Sequence, residues 1–445
     1  MTDLLIVGAG PAGMSAAIEA VKYGIHPIVV DNRPEPGGNI YAFLGSNKRK
    51  HPERIKIFGP DYAKGGALID AFLTSVEEGR ITYHSSARLW RIDPDGGYAF
   101  DGPDGSRAGK AEQIILATGA QERPMPLPGW TLPGVMGVGA AQILMKSGGE
   151  LPAGDIVIVG AGPLPLLLAD QLAKAGRPVK AMIEPAGASR LLNAAPHILQ
   201  AAAAPKTALK GTLLLAKRIL RRTSVWRNAK NIEIVGADTA AGVRFMRGKT
   251  AELDAACVLI HDGIIPNLNP LRAAGLELEY SEQQKTWHVQ SSDVIHVAGD
   301  GAGILGVDAA IISGRTAAKR VCRADPVNSD EKAYKKQRSF RQFIDATYPP
   351  VQTAGKAKSD TVLCRCEMIR AGAVEAAIDT LGADPNAIKR ALRIGMGPCQ
   401  GRLCNHSLAD YSGTKLNCSA KEVGLPRARN PVLPVSFETL AELEE

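Results

Sequence analysis

The stretch Leu4-Leu-Ile-Val-Gly8-Ala-Gly10-Pro-Ala-Gly13 decides the fold of the first part of the chain. Its apolar residues predict a buried strand, and its glycines have the spacing G-x-G-x-x-G. The sequence then predicts a helix over 14–23 and a second strand over 27–30 that ends at Asp31. Such glycines permit a tight turn, a close approach to a pyrophosphate and close helix–strand packing. This unit is therefore predicted to bind an adenine dinucleotide, with Asp31 accepting a ribose hydroxyl.

Two later segments are predicted strands that end in glycine-containing loops: 114–119, ending in Ala-Thr-Gly, and 294–300, ending in Gly-Asp. With them the chain resembles the flavoprotein oxidoreductases that have two dinucleotide domains, whose relatives include thioredoxin and glutathione reductases. The loop 36–40 also matches the flavin-side loop of that family. The resemblance implies that the first domain binds FAD. The implied FAD-binding residues are Gly8, Gly10, Pro11, Ala12, Gly13, Asp31, Asn32, Gly38, Asn39, Ile40, Ala117, Thr118, Gly119, Gly299 and Asp300.

A second unit of the same kind begins at Asp155-Ile-Val-Ile-Val-Gly160-Ala-Gly162, and its second strand, over 179–183, leads to Glu184. The resemblance makes it an NAD(P)H domain, with Gly160, Gly162 and Glu184 as the nucleotide-binding residues. Pro165 replaces the third glycine, which normally allows close packing of helix and strand. We therefore expect a site that has lost NAD(P)H and holds another adenine nucleotide, ATP or NAD. The C-x-x-C motif of disulfide reductases is absent from the sequence.

Four cysteines are predicted to bind a metal centre: Cys364, Cys366, Cys399 and Cys404. They form C-x-C, a gap of 32 residues and C-x4-C. Four thiolates hold an Fe–S cluster, whereas zinc sites more often use pairs spaced C-x2-C to C-x4-C. The spacing favours a [2Fe-2S] cluster, with zinc or inert thiols as alternatives. Two short helices, broken at 382–385, are predicted within the gap.

Length and composition bound the class of protein. A chain of 445 residues is expected to form two to four domains. It enters a strand at once and has no apolar run of the ~18 residues that span a bilayer, so neither a signal peptide nor a transmembrane segment is predicted. The other cysteines, Cys257, Cys322 and Cys418, are isolated, which is typical of a reducing compartment. We expect a cytoplasmic protein.

The net charge of +8 is concentrated between residues 206 and 230, where there are eight cations and no acid. Two interpretations stay open: a solvated helix face, or a surface for an acidic partner subunit or an anionic substrate. Since no recognition motif or aromatic platform accompanies the charge, no nucleic acid is expected.

The whole pattern resembles the α subunits of heteromeric amino- and imino-acid dehydrogenases. Members include opine oxidase A subunits, D-hydroxyproline dehydrogenase α and hydrogen cyanide synthase B subunits. The most specific marks are Cys364-Arg-Cys366 and Gly397-Pro-Cys-Gln-Gly-Arg402 with Cys404. The cysteine segment itself resembles the helical bacterioferritin-associated ferredoxin fold.

This resemblance implies a β subunit of the D-amino-acid-oxidase type, which carries its own FAD and oxidises the substrate C–N bond. The chain would then relay electrons through FAD and the cluster to an unidentified acceptor. An FMN at a subunit interface and a small third subunit belong to the same expectation. The alternatives are an NAD(P)H-dependent reductase that passes electrons through the cluster to a protein acceptor, and a scaffolding subunit.

The catalytic residues are expected on the partner subunit. Among the histidines, His261 and His296 are interpreted as structural residues or flavin neighbours. His406, two residues beyond the last cysteine ligand, is interpreted as a donor toward the cluster or as a surface residue.

The predicted fold class is α/β, with two Rossmann-like dinucleotide domains and a small helical cluster domain. The FAD domain is expected over 1–125 and 285–345, and the degenerate NAD-like domain over 126–284. The cluster domain is expected over 351–410 and an extended C-terminal arm over 411–445.

Overall fold

The computed structural model describes residues 2–187, 194–202 and 204–441. The N-terminal part contains seven strands and five helices. The strands are β1 Thr2–Val7, β2 Ile28–Val30, β3 Thr82–His84, β4 Arg88–Ile92, β5 Gly97–Gly102, β6 Gly105–Leu116 and β7 Ala120–Glu122. The helices are α1 Pro11–Lys22, α2 Leu44–Lys50, α3 Pro52–Phe58, α4 Pro60–Ala63 and α5 Gly65–Glu77.

The middle part alternates strands and helices before it becomes antiparallel. Its strands are β8 Val135–Gly137, β9 Ile156–Gly160, β10 Ala181–Glu184, β11 Ser224–Arg227, β12 Lys230–Val235, β13 Gly242–Arg247, β14 Lys249–Asp254, β15 Cys257–His261 and β16 Ile264–Pro266. Its α-helices are α6 Val138–Ser147, α7 Pro163–Lys174, α8 Ile198–Ala202 and α9 Pro205–Leu220.

The last part returns to the first sheet and then forms a small helical region. Its strands are β17 Leu278–Ser281, β18 Thr286–Val289, β19 Ile295–Val297, β20 Val362–Cys364 and β21 Ile369–Arg370. Its α-helices are α10 Asn269–Ala273, α11 Val307–Val321, α12 Asn328–Thr347, α13 Ala371–Leu381, α14 Pro385–Leu392, α15 Cys404–Lys415, α16 Ala420–Val423 and α17 Phe437–Ala441. In the described ranges no helix is both long and apolar enough to cross a membrane.

Two sheets organise the molecule. The first has the order β3-β2-β1-β6-β5-β4, and β19 lies beside the C-terminal half of β6. β1, β2, β3 and β19 run parallel, whereas β4, β5 and β6 form an antiparallel meander. The second sheet, β11-β10-β9-β15-β8, is parallel throughout. Each sheet contains a strand–turn–helix unit of the predicted kind, β1–α1 in the first and β9–α7 in the second, so the predicted α/β fold class with two dinucleotide-type units is confirmed.

The cysteine region has a small core of its own. Leu363, Val374, Ile388, Leu408 and Tyr411 are buried together there. The two short helices predicted between the cysteine pairs are confirmed as α13 and α14. The segment expected as an extended arm starts inside α15, continues through α16 and is irregular from residue 424 to 436 before α17.

Helices α1 and α11 pack closely because α11 carries a glycine where they meet. A Cβ at Gly314 would lie 2.0 Å from the backbone oxygen of Ala12. Both helices contribute to the core that lies on the first sheet, through residues such as Met14 and Ala317.

We expect Gly314→Ala to push α11 away from α1 and to lower the free energy of unfolding by about 1–3 kcal/mol, the usual cost of overpacking. The measurement is urea denaturation of wild type and variant. Gly211→Ala is the matched control, because a Cβ there has no atom within 4 Å and α9 continues on both sides. The control should leave stability unchanged or raise it by up to about 1 kcal/mol. Equal effects of the two substitutions would contradict the packing argument.

Candidate functional site

The parallel register of the first sheet brings three loops to one edge. Val7 pairs with Leu116, and Leu116 pairs with Val297, so the residues that follow these strands lie side by side. A cavity of about 720 Å³ opens at this edge. Of the residues assigned to FAD from the sequence, Gly13 alone does not line it. Those that do are Gly8, Gly10, Pro11, Ala12, Asp31, Asn32, Gly38, Asn39, Ile40, Ala117, Thr118, Gly119, Gly299 and Asp300.

The glycine-rich turn between β1 and α1 has no room for side chains. A Cβ at Gly13 would lie 1.7 Å from the backbone oxygen of Gly8, so only glycine allows the first turn of α1 to lie against the end of β1. α1 starts at Pro11, with proline in the first turn, where no N–H is needed. Gly10, Pro11 and Ala12 at this helix end line the cavity, and a helix N-terminus suits an anionic group.

Asp31 lines the cavity at the end of β2. Its carboxylate accepts hydrogen bonds from the backbone N–H of Ala9 and, at 2.7 Å, from that of Arg33. Burial nevertheless raises the pKa of Asp31, and these hydrogen bonds and the charge of Arg33 oppose the rise. The backbone thus fixes the carboxylate beside the glycine turn.

Asp300, which follows β19, also lines the cavity. Burial raises the pKa of Asp300 to about 6, and the guanidinium of Arg341 acts in the opposite direction. Arg341, on α12, lines the same cavity. A carboxyl group with a raised pKa can donate as well as accept a hydrogen bond near neutral pH.

Lys146 holds the loop that carries Asn39 and Ile40. Its Nζ donates to the carbonyl oxygens of Asn39 (3.0 Å) and Ile40 (2.9 Å) and to Oε1 of Gln142 (3.0 Å). It also lies 5.4 Å from the ring centre of Tyr62. Burial lowers the pKa of Lys146 to about 7. The lysine thus stabilises one wall of the cavity through buried hydrogen bonds.

The four cysteines converge at the start of α15. Cys364 is in hydrogen-bonding contact with Cys404, and Cys366 with Cys399. The contact with Cys404 and the backbone N–H groups of Gly395, Glu367 and Cys366 lower the pKa of Cys364 to about 6, against the effect of burial. Within the described ranges no three His, Cys, Asp or Glu side chains surround one point as ligands of a single ion. The thiols form two contacting pairs.

The loop between Cys399 and Cys404 lies against the cavity. Arg402 lines the cavity together with Gly119 and Asn267. The Gln121 side chain donates to the backbone oxygen of Arg402, and Asn269 Nδ2 donates to that of Gln400 at 2.8 Å. The cysteine loop is therefore part of the wall of the nucleotide cavity.

The second dinucleotide-type unit has a different environment. Gly160 ends β9 and Gly162 directly precedes α7, but they and Glu184 are not among the described residues that line the cavity. Glu184 is buried at the end of β10, and its carboxylate lies 3.5 Å from Arg218 and 3.3 Å from Arg227.

The basic segment is partly neutralised by the chain itself. Among its described side chains, five contact acids of the same chain: Lys210 pairs with Asp61, Lys217 and Arg221 with Asp170, and Arg218 and Arg227 with Glu184. The basic segment is therefore neither a fully solvated helix face nor a wholly free docking surface.

The three histidines that were interpreted from the sequence have distinct surroundings. His261 is buried, and its Nδ1 lies 2.9 Å from Oε1 of Glu122, a residue that lines the cavity. His296 pairs with Gln113 on the neighbouring strand at 2.7 Å. The interpretation of His406 as a surface residue is wrong: it is buried, and its Nε2 lies 3.0 Å from Thr286 Oγ1.

Several residues of the site were not predicted from the sequence, namely Gln121, Glu122, Lys146, Asn269 and Arg341. Each acts through contacts with residues far away in the chain, such as Lys146 with Asn39 or Gln121 with Arg402. Gln121 and Glu122 directly follow the 117–119 loop, which could have pointed to them, whereas no local motif surrounds Lys146, Asn269 or Arg341.

Stability should respond to pH through Lys146. Its pKa is about 7 in the folded protein against an ordinary value of 10.5, so between these values the unfolded chain binds the additional proton. The contribution of Lys146 to the free energy of unfolding therefore rises with pH through this window. We expect the stability of wild type relative to Lys146→Met to increase from pH 6 to pH 9, measured by urea denaturation. Lys332→Met, on the exposed face of α12, is the control, and a constant difference between wild type and Lys146→Met would contradict the prediction.

Comparison with known proteins identifies the family. The model of the pyridine nucleotide-disulphide oxidoreductases matches residues 2–321, and the sarcosine oxidase A3 domain matches residues 367–443. The A subunit of the opine oxidase of Agrobacterium tumefaciens (strain Ach5) is 39% identical over 99% of this chain and 92% of the relative. The HcnB subunit of the hydrogen cyanide synthase of Pseudomonas aeruginosa is 30% identical over 99% of this chain and 98% of the relative.

A solved structure supports the same fold. The crystal structure of L-proline dehydrogenase from P. horikoshii superposes with a TM-score of 0.72, at 19% identity, over 99% of this chain and 79% of that chain. The chain is thus an oxidoreductase of the pyridine nucleotide-disulphide oxidoreductase family, and over its full length it belongs to the group that contains the opine oxidase A subunits.

Proposed function

We propose that this chain is the electron-transferring α subunit of a heteromeric dehydrogenase that oxidises the C–N bond of an amino or imino acid. One observation carries the proposal: Arg402, between two of the four cysteines, lines the same cavity as Gly8, Thr118 and Asp300. A redox group held by the thiols and a dinucleotide in the cavity would share a wall. Electron transfer between them needs such proximity.

FAD is the proposed occupant of the cavity. The fit rests on the close approach of Gly10 and Gly38 in the cavity wall, where a Cβ at Gly38 would lie 3.0 Å from the Cα of Gly10, and on the fixed Asp31 carboxylate. Gly8, Gly10, Gly38 and the 117–119 loop would hold the phosphates and the flavin side. When bound, FAD supplies chemistry that accepts electrons in pairs and passes them on singly.

A [2Fe-2S] cluster is the proposed group at the cysteines. Four thiols lie close to one another there, and their C-x-C spacing suits an Fe–S cluster better than zinc, whose sites more often use C-x2-C to C-x4-C pairs. Backbone N–H groups that already approach the Cys364 sulfur are the kind of donor that adjusts cluster potentials.

The proposed complex contains a β subunit of the D-amino-acid-oxidase type with its own FAD. The names of the relatives support this proposal, because they are subunits of opine oxidase and of hydrogen cyanide synthase. Opines, D-hydroxyproline, proline-like acids and glycine are the proposed range of substrates. The proposed complex also contains an FMN at a subunit interface and a small third subunit, and it passes its electrons to a separate acceptor.

The second dinucleotide-type unit is proposed to hold an adenine nucleotide, ATP or NAD, without redox chemistry. Pro165 occupies the place of the third glycine, and the carboxylate expected to bind a ribose, Glu184, contacts Arg218 and Arg227. Both features weigh against an independent NAD(P)H-dependent reductase.

An anaerobic visible spectrum tests the proposal. The purified chain should show oxidised flavin with overlapping cluster absorbance. NADH should leave this spectrum unchanged, dithionite should bleach it, and substrate should bleach it only when the β subunit is present. Absence of flavin would contradict the cofactor assignment, and rapid bleaching by NADH would make the chain a reductase in its own right.

Replacing a proposed ligand should separate the two cofactors. We expect Cys399→Ser to lose nearly all bound iron and the cluster absorbance while keeping FAD, because Cys399 lies outside the dinucleotide motifs. Cys418→Ser is the matched control, a partly exposed thiol outside the four, and should keep both. Iron analysis, flavin content and electron paramagnetic resonance of the reduced protein give the readout. Retention of iron with Cys399→Ser would remove this residue from the ligand set.

A further inference from the structure

The segment from Gly424 to Ser436, here called the C-terminal strap, crosses the exposed edge of the first sheet. Asn430 Nδ2 donates to the backbone oxygen of Ile92 at 3.0 Å, and the N–H of Ile92 donates to Asn430 Oδ1 at 3.2 Å. The N–H of Val432 donates to the oxygen of Trp90 at 2.8 Å. The strap therefore lies along β4, held by one backbone hydrogen bond and by the Asn430 side chain, and covers part of this edge strand.

The strap also forms part of the nucleotide cavity. Val432 is 3% exposed, and both Val432 and Leu433 line the cavity. They lie beside β4, whose preceding residue Ala87 donates its N–H to the oxygen of Asp31 at 2.8 Å. Asp31 marks the ribose of the adenosine half in this type of site. The strap is thus located at the adenosine end.

The other end of the strap is attached near the cysteines. The N–H of Arg427 donates to Asn386 Oδ1 at 2.8 Å, on α14, which packs in the core of the cysteine region. Arg272, on α10, donates to the backbone oxygen of Pro426. One short segment therefore links the region of the cysteines to the adenosine end of the cavity.

We propose that Val432 and Leu433 are binding residues for the adenosine half of the dinucleotide and that the strap controls its exchange. The two apolar side chains exclude water from one side of the adenine. The dinucleotide leaves when the hydrogen bonds of Asn430 and Val432 to β4 break. The identity of the ligand as FAD rests on the proposed function, whereas the location of the strap does not.

The rate of FAD release from the holoprotein tests the strap. Free FAD is more fluorescent than bound FAD, so release can be followed after dilution. Asn430→Ala removes three hydrogen bonds, to Ile92 and to Asp93, and should speed release at least about tenfold. Leu433→Ala leaves these hydrogen bonds in place and should speed FAD release several-fold. Phe437→Ala is the control: Phe437 lies just beyond the strap, is 92% exposed and should leave the rate unchanged.

ADP binding to the nucleotide-free full chain separates this proposal from the proposed function. The strap is proposed to contact the adenosine half, which ADP shares with FAD. Asn430→Ala and Leu433→Ala should therefore weaken ADP binding by a factor similar to the increase in the rate of FAD release. If both variants bind ADP with the wild-type affinity and release FAD at the wild-type rate, the strap proposal is overturned. Absence of flavin from the purified protein would overturn the proposed cofactor, while weaker ADP binding by the variants would still support the strap.

Discussion

The parallel register of β1, β6 and β19 is the constraint on which the site depends. Val7, Leu116 and Val297 lie in one row across three strands, so the glycine turn, the 117–119 loop and the 299–300 loop emerge together. These segments are more than a hundred residues apart in the chain. A shift of the register by one residue would move the loops apart and turn the side chains of a strand to the other face. The close packing of α1 against α11 holds the same edge from one side.

The cysteine region is also joined by polar contacts to the loop that follows β15 of the second sheet. Asp262 accepts hydrogen bonds from the N–H groups of Val351 (2.6 Å) and Gln352 (3.0 Å), and Gln352 Nε2 donates to Asp410 at 3.0 Å. Burial raises the pKa of Asp410 to about 6, and the nearby Arg123 opposes this rise. Buried charges of this kind have a large desolvation cost and are stable only with their partners in place. These buried charges therefore favour a single position of α15 and of the cysteine loop.

Local patterns in the sequence were enough for the elements of the fold. The glycine spacing located both strand–turn–helix units, although α1 begins at Pro11 rather than at residue 14, because proline is favoured in the first turn of a helix. The helix pair between the cysteines was equally predictable, since Gly382 and Pro385 interrupt it. Patterns of charge were less informative. The run of cations on and after α9 suggested a free surface, whereas several of its members contact Asp61, Asp170 and Glu184.

By itself the sequence determined the fold class, the two dinucleotide-type units and the four cysteines, because each depends on residues that are close together and have few structural alternatives. Only the tertiary structure decided that the cysteine loop and residues 432–433 line the same cavity, that Lys146 holds its wall and that His406 is buried. The physical reason is that these features depend on contacts between distant segments. Local spacing specifies strands, turns and helices, but the relative positions of those elements are set by packing and register across the whole chain.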